Sequence, residues 1–154
     1  MRRETLLSIL EIVVCYAIYV FITVPIHEFL HMYVLKALGG DGYCRLTPFG
    51  AEVIFTKMPR MPWLVTLSGG VLTGLIFLAL AYWDYIDGDW EEYIALHMTA
   101  WPQIFYGVFE TVAITRLPLT AYIMWADIIM GAGIVFSLVF IIPAVKELGR
   151  ALSS

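Results

Sequence analysis

Charged side chains are scarce in this chain. Lysine, arginine, aspartate and glutamate make up 14% of its 154 residues, against roughly a quarter in a soluble domain. The deficit lies in long apolar stretches, and hydrophobic residues reach 61%. Water does not tolerate such stretches, whereas a bilayer does. Net charge is −4, so no basic surface is left to hold nucleic acid. Cysteine occurs twice, at Cys15 in an apolar run and at Cys44 in a polar segment. That excludes a disulfide framework. Internal repeats and low-complexity tracts are absent too, and the length suits a single domain over 1–154.

What is present is a set of spans. A membrane-crossing helix needs about 20 mainly apolar residues, and four stretches qualify: Leu6–Leu38, Trp63–Trp83, Glu92–Ile114 and Leu119–Ile142. The fold expected is an all-α membrane protein with about four transmembrane helices. The first stretch outruns the roughly 7–15 residues of a signal-peptide core and reads as a retained helix. Pro25 inside it cannot donate to the carbonyl of Phe21, so a bend is expected there. Gly39-Gly40 ends it. Tyr43–Thr47 and Ala51–Thr56 are rich in β-formers and are separated by Pro48-Phe49-Gly50, which predicts a small hairpin at the membrane surface. Asp84–Glu92 holds five acidic residues and no basic one, and must lie in water. Five basic residues share the hairpin side and four share the side of the termini. The positive-inside rule thus leans toward a cytoplasmic hairpin. The expected location is the cell membrane, as a multi-pass protein surrounded by lipid. Tryptophans and tyrosines near span ends read as interfacial anchors.

Chemistry concentrates at His27-Glu28-Phe29-Leu30-His31. Residues i and i+4 share one helix face, so His27 and His31 can offer imidazole nitrogens to one metal ion, with Glu28 beside them to take a proton from water. Zinc is the metal this HExxH spacing suits. The chain has three histidines, and two of them fall in this pattern, inside an apolar helix where each ionisable group is costly without a partner.

Catalytic zinc usually has three protein ligands. His97, Glu110, Asp127, Asp84 and Glu52 are the candidates. At 1.5 Å per residue, His31 lies roughly 7 Å and His27 roughly 13 Å inside the boundary marked by Lys36. His97 and Asp84 belong to the opposite end, and His97 reads as a packing or interfacial histidine. Glu110 and Asp127 both match in depth. The sequence resembles the site-2 protease-like intramembrane zinc metalloproteases. The resemblance rests on the HExxH segment, Gly39-Gly40, the β-rich segment, Leu67-Ser68-Gly69-Gly70 and Ala126-Asp127-Ile128-Ile129 in the last span. It covers most of the chain in order, and its one highly specific piece is the HExxH segment. It implies Asp127 as third ligand, although the family's Leu-Asp-Gly setting is looser here. Gly131, one turn on, allows close approach. Glu110 then reads as a supporting carboxylate.

Gly69, Gly70 and Gly74 read as helix-packing positions that also let the second span approach the metal-bearing helix. Pro102-Gln103 reads as a proline kink. The activity this implies is hydrolysis of peptide bonds in or near transmembrane segments of other proteins. An exposed hairpin edge at Val53 and Phe55 would hold the unwound substrate by strand addition. The rivals are a non-catalytic membrane protein that binds partners and keeps a structural metal site, and a metal-handling protein. Glu28 discriminates, because a purely structural site does not need it.

Overall fold

The computed structural model describes residues 3–47, 50–113 and 116–153. Four helices and one hairpin follow in the order α1 (Arg3–Ala37), β1 (Asp41–Thr47), β2 (Gly50–Lys57), α2 (Pro62–Asp87), α3 (Trp90–Ala113) and α4 (Leu119–Ala151). The expected class, helices with a small two-stranded antiparallel sheet between the first two, is what forms. Three of the helices, α1, α2 and α4, are long and apolar enough to span a membrane. The third has the length, ~36 Å at 1.5 Å per residue, but carries Glu91, Glu92, His97, Gln103 and Glu110. It is the central element, packing against α1, α2 and α4. Polar groups that lipid would reject are thereby enclosed by neighbouring helices.

Several boundaries differ from the sequence reading. α1 starts at Arg3 and ends at Ala37, with Pro25, the position of the expected bend, inside it. α4 continues past its apolar portion to Ala151, where Arg150 pairs with Glu147 one turn back. The acidic segment is mostly helix: Gly88 and Asp89 alone separate α2 from α3. Gly88 adopts φ +79°, a left-handed cap that costs glycine nothing, and the Asp89 amide donates to the Asp84 carbonyl. Pro48 and Phe49 of the expected turn, and Ile114 at the end of the expected third span, lie outside the described residues.

Two apolar clusters fix the helices. Phe77 and Ala81 of α2 meet Leu96 and Ala100 of α3. Ile94 of α3 meets Ile141, Ala144 and Leu148 of α4. His97 lies in an aromatic stack with Tyr93, Trp101 and Phe140 and accepts a hydrogen bond from the Trp101 indole. It is a packing residue, as its sequence position implies. The hairpin pairs Cys44 with Val53 and Gly42 with Phe55. It sits on the end of α1, where a Cβ on Gly42 would fall 3.0 Å from Cδ2 of the fully buried Leu35. Arg45 and Glu52 bridge its two strands. Both cysteines are free.

Candidate metal centre

α1 carries His27 and His31 one turn apart, and both are buried. Their Nε2 atoms stand 2.9 Å from one another. α3 supplies the third group: Oε2 of the buried Glu110 lies 3.6 Å from Nε2 of His27 and 3.5 Å from Nε2 of His31. These three residues form the one such donor cluster among the described residues. A circle through the three atoms has a radius of about 1.9 Å, close to the roughly 2.0–2.2 Å between zinc and an imidazole nitrogen or carboxylate oxygen.

The other ring nitrogens bear on whether these three atoms suit a cation. Nδ1 of His31 faces the Val65 carbonyl, and Nδ1 of His27 faces Oε1 of Gln103 at 3.1 Å. Both partners are acceptors, so Nδ1 is the nitrogen placed to hold the proton of a neutral ring, and that tautomer leaves each Nε2 with a lone pair. Oε2 of Glu110 has no hydrogen-bond partner among the described residues. Its distances to the imidazoles are too long for a good N–H···O bond. In that tautomer three electron-pair donors converge with no proton between them, in surroundings where an unpaired buried charge is expensive. One proton added to a ring would join the two nitrogens but leave the carboxylate unpartnered. A metal ion bonded to all three satisfies every atom, and the residues present fit one.

Glycine makes room for the cluster. A Cβ on Gly69 would fall on the imidazole of His31 and 2.7 Å from Nε2 of His27. Gly70, its neighbour, faces the other way. There Gly107 of α3 approaches so closely that a Cβ on it would lie 2.8 Å from Cα of Gly70. Gly74 lies against Ala100 and Ile104 in the same α2–α3 contact. The three glycines read together in the sequence thus separate into one that clears the donor cluster and two that seat α3 against α2. That seating delivers Gln103, Tyr106, Gly107 and Glu110, which recur every three or four residues on α3 and so share a face. Tyr106 packs its ring 5.7 Å from that of His27 and shares a hydroxyl–hydroxyl hydrogen bond of 2.8 Å with Tyr122 of α4.

Glu28 stands between the two histidines in sequence, and its Oε2 is buried without a partner among the described residues. A buried carboxylate beside a metal-competent cluster can exchange a proton with a group entering the site. Asp127 is a correction. It is exposed on α4, outside the donor cluster, and the place expected for it belongs to Glu110. Depth was matched for both residues, but Asp127 is exposed on α4, whereas α3, which carries Glu110, packs against α1. Glu52 is engaged with Arg45 on the hairpin. Val53 and Phe55 are half-buried on β2. Gln103 was passed over in sequence as the neighbour of a proline. Its signal was the polar stripe it forms with Glu110, seven residues on. Comparison of the chain with known protein families, with curated proteins and with solved structures finds no match.

Proposed function

We propose that this chain is an intramembrane zinc metalloendopeptidase, akin to the site-2 protease-like enzymes, acting on transmembrane segments of other proteins in a cellular membrane that it crosses several times. The observation that carries the reading is the convergence of two imidazole Nε2 atoms, whose Nδ1 atoms face acceptors, with a carboxylate oxygen of Glu110; that oxygen and Oε2 of Glu28, next to His27 on α1, are buried without a hydrogen-bond partner among the described residues. Two histidines and a glutamate form a donor set used by catalytic zinc sites.

When bound, zinc would supply an acidified water and a polarised carbonyl. The remaining work belongs to the chain. His27, His31 and Glu110 hold the ion. Glu28 accepts a proton from the attacking water as its oxygen bonds to the scissile carbonyl carbon, then returns that proton to the amide nitrogen as the carbon–nitrogen bond breaks. A carboxylate kept from other partners is free to make both transfers. His27, His31 and Glu110 are buried among the helices, which strengthens each electrostatic contact inside. A substrate helix must unwind locally to offer its carbonyl, and the hairpin, which rests on Leu35 one helical turn beyond His31, would receive the extended segment.

The test is metal analysis and turnover of a transmembrane substrate by the purified chain, with Glu28→Gln as control. Zinc in both proteins and cleavage by the unaltered chain alone is the expected result. Zinc in both with cleavage by neither would favour a structural metal site in a partner-binding membrane protein.

A further inference from the structure

A neutral imidazole can carry its proton on either nitrogen, and a metal ligand must carry it on the other one. Each histidine of the cluster therefore needs an acceptor at Nδ1. His31 takes a backbone acceptor, the Val65 carbonyl of α2. His27 depends on a side chain, Oε1 of Gln103, 3.1 Å away. We propose that Gln103 is a positioning residue: by accepting the Nδ1 proton of His27 it fixes the tautomer and ring plane that aim Nε2 at the point shared with His31 and Glu110. This role rests on the metal-site reading above.

A second observation supports it. The turn of α3 that carries Gln103 is held from two sides by glycines on different helices. Gly70 of α2 lies so close to the Gln103 backbone carbonyl that a Cβ there would overlap it. Gly133 of α4 abuts the preceding residue, where a Cβ would fall 2.8 Å from the Pro102 nitrogen and 2.9 Å from the Trp101 carbonyl oxygen. A long, flexible side chain is a poor orienting group unless its own base is fixed, and this base is clamped. The same helix holds Glu110 two turns further on, so α3 sets both a ligand and the group that orients another ligand. Groups that bond the far nitrogen of a metal-binding histidine fix its orientation and raise its basicity, and their loss costs about 10–100-fold in metal affinity.

The experiment compares the full-length unaltered chain, Gln103→Met and Gln103→Glu in detergent micelles. Zinc affinity is read by competition with a chelator, and ligand geometry by the visible spectrum of the cobalt-loaded proteins. Methionine matches the glutamine in length and offers no comparable acceptor, whereas glutamate keeps an oxygen in place. The expected result is zinc binding weakened about 10–100-fold in Gln103→Met with an altered cobalt spectrum, and both properties retained in Gln103→Glu. Equal weakening in the two variants, or none in Gln103→Met, overturns the proposal. Failure of the unaltered chain to bind either metal overturns the metal-site reading itself, and with it this role. A measurement that needs no variant completes the test: nitrogen-15 shifts of the His27 ring in the metal-free chain should report a proton on Nδ1, and a proton on Nε2 overturns the proposal.

Discussion

Gly69 of α2 faces His31 of α1 so closely that a single added carbon would take the space beside the imidazole nitrogens. The donor cluster therefore depends on a residue that contributes no donor. Gly69→Ala should displace one or both rings and weaken zinc binding by at least tenfold, the scale seen when a ligand's orientation is lost. Gly74→Ala is the matched control. Its Cβ would meet Ile104 and the Ala100 carbonyl, away from the cluster, and overpacking there should cost ~1–3 kcal/mol of stability while zinc stays bound. Chelator competition and thermal unfolding, run on both variants, check the contrast. Equal zinc affinity in the two would remove Gly69 from the site.

Glu110→Ala should lower zinc affinity by more than the ~10–100-fold that follows loss of a merely supporting partner. Asp127→Ala should leave zinc affinity unchanged, because Asp127 is exposed on α4 and lies outside the donor cluster. The measurement is a zinc titration of each purified variant. The opposite ranking would return the ligand role to Asp127.

Glu28→Gln keeps the size of the side chain and removes its capacity to accept a proton. Cleavage should fall by at least ~10²–10⁴-fold, the usual contribution of a general base, with zinc content unaltered. Undiminished turnover would show that the unpartnered oxygen of Glu28 takes no part in the chemistry.

The contrast between Glu110 and Asp127 shows what this sequence made legible. The histidine pair could be read directly, because i and i+4 on one helix are neighbours whatever the rest of the chain does. The helix count and the hairpin were equally local, set by apolar length and by β-forming runs between glycines and prolines. The third member of the donor cluster was not local. Counting residues from Lys36, and from Arg116 between the third and fourth apolar stretches, gives depth along the membrane normal, and two carboxylates passed that filter. Which of them meets the histidines depends on rotation about each helix axis, and that is decided by packing. Gly70 against Gly107 turns the polar face of α3 toward α1, whereas Asp127 has Ile123, Met124, Met130 and Gly131 one turn either side and no polar companion. The run of α2 and α3 through the acidic segment was hidden for a related reason. Five acidic residues read as a loop, yet a left-handed glycine at Gly88 closes the turn, and all but Gly88 and Asp89 of the segment is helical.

The hairpin should handle substrate and not metal. It rests on Leu35, one helical turn beyond His31, and its strands are the described extended segments nearest the cluster in sequence. Val53 and Phe55 lie two apart on β2, so their amides point the same way. In a two-stranded sheet each strand keeps one unpaired edge, which is where an unwound substrate would add. Main-chain hydrogen bonds would then supply the affinity, and the side chains would matter less. Proline at Val53 or Phe55 removes a donor and disrupts the strand, so either variant should lose cleavage. Alanine at the same positions keeps the donor and should lose much less. All four variants should bind zinc as the unaltered chain does, because no donor of the cluster comes from the hairpin. Turnover of a transmembrane substrate, measured beside metal content, separates the cases: equal activity of the proline and alanine variants would reduce the hairpin to a connector between α1 and α2.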